Sequence, residues 1–90
     1  MSYTSGRLYA GQKTGITTSA VQISTTSKNV REVVIQSDPA NTTNMLVGDS
    51  AGQYVVITPG QAINLSIISL SLVYVVMTSG TGIANWVGID

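Results

Sequence analysis

Between Ile63 and Met77 the sequence alternates apolar and polar residues with a period of two, and the phase of that alternation changes once. Ile63, Leu65 and Ile67 occupy odd positions with Asn64 and Ser66 between them. Ile68, Leu70 and Leu72 occupy even positions with Ser69 and Ser71 between them. A period of two puts one set of side chains on one face of a pleated strand. A helix needs apolar residues three and four apart, and this run does not sustain that spacing. A phase change moves every following side chain to the other face, so the chain has to bulge or turn there. The expectation is a turn near Ser69–Ser71 and then a strand over Leu72–Thr78. That strand, Leu-Val-Tyr-Val-Val-Met, is apolar on both faces. One face meets a core. The other needs a second cover, from a partner subunit or from another part of the chain.

The same pattern recurs along the rest of the sequence. Thr17–Ser24, with Ala20, Val21 and Ile23, reads as a strand, and Thr25–Asn29 as a polar turn. Arg31–Ser37 sets Val33 and Ile35 on one face against Val34 and Gln36 on the other. Ser37–Asn44 is a loop opened by Asp38-Pro39. Met45–Gly48 is a short strand, Ala51-Gly52 a turn, and Tyr54–Thr58 a strand ended by Pro59-Gly60, an order that fits the central positions of a type II turn. Ser79–Gly82 is a tight turn. In the final strand Ile83, Asn85, Val87 and Ile89 alternate with Ala84, Trp86 and Gly88. Residues 1–15 hold Tyr3, Leu8 and Tyr9 among small and polar residues and read as a polar N-terminal arm, with one short strand near Arg7–Ala10. Residues 16–90 then form an all-β domain, a single small β-sandwich of seven to eight strands at roughly 8–12-residue spacing. It is jelly-roll-like or Ig-like; strand order is not readable from the sequence.

Composition excludes several classes of function. Charged residues make up 9% of the 90, four basic and four acidic, with zero net charge, where an average domain carries about 25%. Such a chain has no electrostatic drive toward nucleic acid or an anionic membrane, and Arg7, Lys13, Lys28 and Arg31 are scattered along it. A hydrophobic content of 43% argues against disorder. There is no Cys and no His, which removes thiolate nucleophiles, the usual general base and the commonest metal ligands. Glu32, Asp38, Asp49 and Asp90 are all that remain for acid–base chemistry. The chain is therefore expected not to be an enzyme and to carry no cofactor or metal. Asp38 and Asp49 read as turn formers rather than calcium ligands. Asn41-Thr42-Thr43 and Asn64-Leu65-Ser66 match the glycosylation sequon, for which chance is the better explanation. The run from Ile63 to Met77 is shorter than the about 20 apolar residues of a membrane span, and the polar N-terminus shows no apolar leader.

Segments of the chain resemble small β-rich structural proteins of tailed bacteriophage virions. The likeness is carried by Val30–Ser50, a β-branched strand leading through an Asn/Thr loop to a short strand ending in Val47-Gly48. It continues in Ile57-Thr-Pro-Gly-Gln-Ala-Ile-Asn-Leu65, a Pro-Gly turn and alternating strand, and in Leu70-Ser-Leu-Val-Tyr-Val-Val76, a strand after a Leu-Ser corner. It covers about residues 30–82. Where those proteins often carry a charge after the corner, Leu72 stands here. The resemblance implies a virion component, either a capsid decoration or stabilisation protein or a tail-associated module.

Near-zero net charge promotes association, and no charged residue occurs between Asp49 and Asp90. The first expectation is thus a structural protein of the virion that forms a homo-oligomer, a trimer by preference, and docks on a viral capsid or tail protein. Tyr3, Leu8, Tyr9, Leu72, Tyr74, Val76 and Trp86 are the candidate interface residues. The alternative is a carbohydrate- or receptor-binding module of a phage tail, with Trp86 and Tyr74 on neighbouring strands as an aromatic platform beside the loop at 41–44.

Overall fold

A computed structural model of the chain describes residues 8–25, 30–66 and 69–89. It contains strands β1 (Leu8–Ile16), β2 (Val21–Gln22), β3 (Glu32–Ser37), β4 (Met45–Gly48), β5 (Gln53–Ile57), β6 (Ala62–Leu65), β7 (Tyr74–Met77) and β8 (Gly82–Ile89), with a 3-10 turn at Leu70–Leu72. The strands form two sheets, β1-β8-β3-β6 and β2-β7-β4-β5.

All pairings are antiparallel and they nest. β4 pairs with β5, β3 with β6, β2 with β7 and β1 with β8. This is one long ribbon with the β4–β5 hairpin at its tip, rolled up so that β3 also meets β8 and β4 also meets β7. The order is that of a jelly roll, and it decides between the two sandwiches that the sequence left open.

The core follows the alternation. Val33, Ile35 and Ser37 of β3, Met45 and Val47 of β4, Val75 and Met77 of β7 and Ala84 of β8 are all buried between the sheets. Pro59-Gly60 makes the expected turn: Gln61 N–H donates to the Thr58 carbonyl at 2.9 Å, and Gly60 takes the φ of +87° that a type II turn requires at this position. Asp38 and Asp49 form Asx turns, their Oδ1 atoms accepting from Ala40 N–H at 2.8 Å and Ala51 N–H at 2.9 Å. The corner before β7 is built by Ser69, whose side chain accepts from Ser71 N–H and caps the 3-10 turn. The strand expected from Leu72 therefore starts at Tyr74.

Two segments differ from expectation. Only Val21–Gln22 of the strand expected over Thr17–Ser24 pairs as a strand. Just before it, Ser19 N–H donates to Thr17 Oγ1 at 3.2 Å, a local bend that competes with the ladder. In the opposite sense, the short strand expected near Arg7–Ala10 runs on to Ile16. From Leu8 onward the segment read as an arm is an edge strand, paired with β8 from Leu8↔Ile89 to Lys13↔Ala84. A bulge between Lys13 and Ile16 then inserts one residue, which turns Ile16 into the core. Most of the expected 25–29 turn, and the phase change at residues 67 and 68, lie outside the described residues.

Because of this pairing, truncations at 7 and at 12 are expected to differ. Removing residues 1–12 takes away Tyr9, which packs against the core, along with much of the β1–β8 ladder. Relative to a chain lacking residues 1–7, the loss is expected to be about 2 kcal/mol, the scale of burying one large side chain. Urea denaturation of the two truncations checks this. Equal midpoints would mean that β1 adds nothing to the sandwich.

Candidate interaction surface

The register of the second sheet gathers one row of apolar side chains on its outer face. Leu46 lies opposite Val76 on one side and Val56 on the other. Their neighbours in sequence, Met45, Val47, Val75, Met77 and Ile57, are buried, so Leu46, Val56 and Val76 point away from the core. Tyr74, two residues before Val76, shares the face and sits opposite Gly48. Tyr54 of β5 is 85% exposed and is the extra residue where the register shifts between Val47↔Val55 and Gly48↔Gln53. Leu72, in the turn leading into β7, is 52% exposed. No charged residue belongs to β4, β5 or β7, so nothing on this face interrupts the apolar row.

The outer face of the first sheet is different in kind. Gln12 Nε2 donates to Asn85 Oδ1 at 2.8 Å, and Asn85 Nδ2 donates to Gln36 Oε1 at 3.1 Å. This amide ladder crosses β1, β8 and β3. Nearby, Asn64 Nδ2 donates to Glu32 Oε2 at 2.9 Å. A shallow depression of about 280 Å³ lies over Val34, Ala62 and Val87, with Gln36 and Asn85 also lining it. The amides at its rim already bond to one another.

A second hollow, about 330 Å³, lies where the loop after β3 meets the start of β8, and Asn41, Thr42 and Thr81 are among its walls. Asn41 is fully engaged. Its Nδ2 donates to Ser37 Oγ at 2.8 Å and to the Ile83 carbonyl at 2.9 Å, and its Oδ1 accepts from Ile83 N–H at 2.9 Å. This first sequon asparagine staples the loop to β8. Asn64, the other sequon asparagine, lies in β6.

The candidate interface residues thus divide. Leu72, Tyr74 and Val76 belong to the apolar outer surface. Trp86 and Tyr9 do not. Trp86 is directly opposite the buried Ile35, so it faces inward, where it packs on the core. Its ring lies over Gly11, where an added Cβ would come within 2.5 Å of the indole. Tyr9 lies opposite the buried Gly88 and also packs on the core. Tyr3 and the Leu8 side chain lie outside the described residues. Trp86 stands on the inner face of one sheet and Tyr74 on the outer face of the other, so the expected aromatic platform does not form. Tyr54, Val56 and Leu46 were missed. The run Tyr-Val-Val-Ile in β5 carries the same two-sided apolar pattern as β7 and could have been read the same way.

Searches against protein-family models and against curated proteins find no match for this chain.

Proposed function

We propose that this chain is a non-enzymatic structural protein of a virion, which decorates or stabilises the capsid by associating with itself and docking on the particle. The observation that supports this reading best is the charge-free outer face formed by Tyr74, Val76, Leu46 and Val56, with the exposed Tyr54 beside it. Exposed apolar surface of this continuity marks an interaction site, and a neutral face offers a second neutral copy no repulsion. Jelly rolls serve as coat domains in many capsids, and the resemblance of residues 30–82 to phage structural proteins points the same way. The carbohydrate-binding alternative loses its motivating pair, since Trp86 is turned inward.

Mass spectrometry of purified particles from the phage genome that encodes the chain tests the proposal. The expected result is many copies per particle, released only by denaturation. Particles that assemble without the chain in them would overturn it.

A further inference from the structure

We propose that two copies of this chain join through their β6 strands, antiparallel and centred on Ile63, so that the first sheet runs continuously from one copy into the other. This rests on the self-association reading above and names a contact for it. The apolar outer face of the second sheet then stays free to meet the particle.

The hydrogen bonds of β3 determine which backbone groups of β6 are free. Ser37 N–H donates to the Gln61 carbonyl at 3.0 Å, and the Ser37 carbonyl accepts from Gly60 N–H at 2.8 Å, so Ser37 turns its backbone toward β6. The next residue turns the other way: Asp38 N–H donates to the Ile83 carbonyl at 3.0 Å. Alternate residues of a strand turn to alternate sides. Ile35 and Val33 therefore also face β6, where they lie opposite Ile63 and Leu65. Ile63 and Leu65 thus spend their backbone groups on β3. Those of Ala62 and Asn64 point outward from the sheet, because β6 is the last strand of its order.

Open edges usually carry protection: an inward-pointing charge, a Pro, a bulge, or extreme shortness. The other three edges have it. β1 sets Lys13 opposite the buried Ala84, on the core side, and carries a bulge after it. β5 carries its bulge at Tyr54, and β2 has two residues. β6, Ala-Ile-Asn-Leu, has no charge and no Pro, and it pairs with β3 without a shift of register.

This edge complements itself. A two-fold axis at Ile63 pairs Ala62 of each copy with Asn64 of the other, and both are residues whose N–H and C=O point outward. Each such pair can exchange both of its hydrogen bonds. An axis at Ala62 would set Asn64 opposite Gly60, in the turn with φ of +87°. An axis at Asn64 would set Ala62 opposite Ser66, outside the strand. The register centred on Ile63 also brings Ile63 against Ile63 on the inner face. Ile63 and Leu65 pack on the core yet stay only partly buried, because no described strand lies beyond them. The second copy covers Ile63 from that side. On the outer face, Asn64 of the second copy stands opposite Ala62, beside the shallow depression over Val34, Ala62 and Val87.

Four residues a side is far below the about 20–30 of a standard interface, so the dimer is concentration-dependent. On a particle that already holds neighbouring copies at effective concentrations of roughly millimolar, a contact of this strength forms. An isologous contact of this kind gives pairs of chains.

Light scattering after size exclusion, on the full chain up to about millimolar concentration, tests the proposal together with amide hydrogen exchange. The expected result is a mass rising to that of two chains, with the Ala62 and Asn64 amides becoming protected as it does so. Ala62→Pro removes one outward N–H and leaves the bonds to β3 untouched, because those come from Ile63 and Leu65. It is expected to run as a single chain with an unchanged circular dichroism spectrum. Ala62→Ser keeps the N–H and is expected to pair as the wild type does. A wild-type mass of one chain throughout overturns both this contact and self-association. A three-chain mass, an oligomer whose Ala62 and Asn64 amides exchange freely, or a folded Ala62→Pro that still pairs overturns the β6 contact alone. The exchange measurement stands even if the proline variant fails to fold.

Discussion

Replacing Ile35 with Ala is expected to lower stability by about 4 kcal/mol, toward the upper part of the 2–5 kcal/mol range for such truncations. Ile35 is fully buried, and in the first sheet it lies between Ile63 and Trp86. Its own strand, β3, is held by ladder bonds to β6 on one side and β8 on the other, so the backbone collapses little into the space left behind. For a chain of this length the total stability is about 5–13 kcal/mol, so the loss is a large fraction of it. At about 4–8 °C per kcal/mol the melting temperature falls by roughly 16–32 °C. Urea denaturation provides the check, with a lower midpoint and an unchanged slope. Leu72→Ala serves as the control: Leu72 is half-exposed, and its truncation is expected to change the monomer by no more than about 0.5 kcal/mol. Similar losses at both positions would contradict the layering of the sandwich.

Asn41→Ala is expected to cost about 3 kcal/mol, through hydrogen bonds rather than packing. Asn41 supplies two donors and one acceptor that tie the loop after β3 to Ser37 and to the start of β8. Removing it leaves the Ile83 N–H without its acceptor and strips a partner from Ser37 Oγ, which is buried. The Ile83 carbonyl keeps Asp38 N–H at 3.0 Å, which is why the loss stays below that of the core truncation. Amide exchange distinguishes the mechanism, since the Ile83 amide should exchange much faster at an otherwise unchanged fold. A variant as stable as the wild type, with a slow Ile83 amide, would show that the staple contributes nothing.

The two faces of β3 were legible because period-two alternation maps directly onto burial. Val33 and Ile35 fell inside and Val34 and Gln36 outside, as their positions require. Turn chemistry was legible for the same kind of local reason: Pro59-Gly60 and the two aspartates act through their own backbone geometry. The extent of β1 was not. Gly11, Gln12, Lys13 and Thr14 carry little strand signal, and they are held extended by β8 across the sheet. The interface was half legible. Two-sided apolarity located Leu72, Tyr74 and Val76, but it said nothing of which other strand shared their face.

By itself, then, the sequence determined the all-β class, the local turns at Pro59-Gly60, Asp38 and Asp49, and the uncharged character of whatever surface remained. These depend on nearest neighbours along the chain and on composition. Only the tertiary structure decided the jelly-roll order, the inward turn of Trp86 and the assembly of Leu46, Val56, Val76 and Tyr74 into one face. Each of these is set by register between strands distant in sequence. Trp86 faces inward because it lies opposite Ile35, and Val56 joins Val76 because both flank Leu46. A shift of one residue in either pairing would exchange the two faces, and local sequence carries no record of that choice.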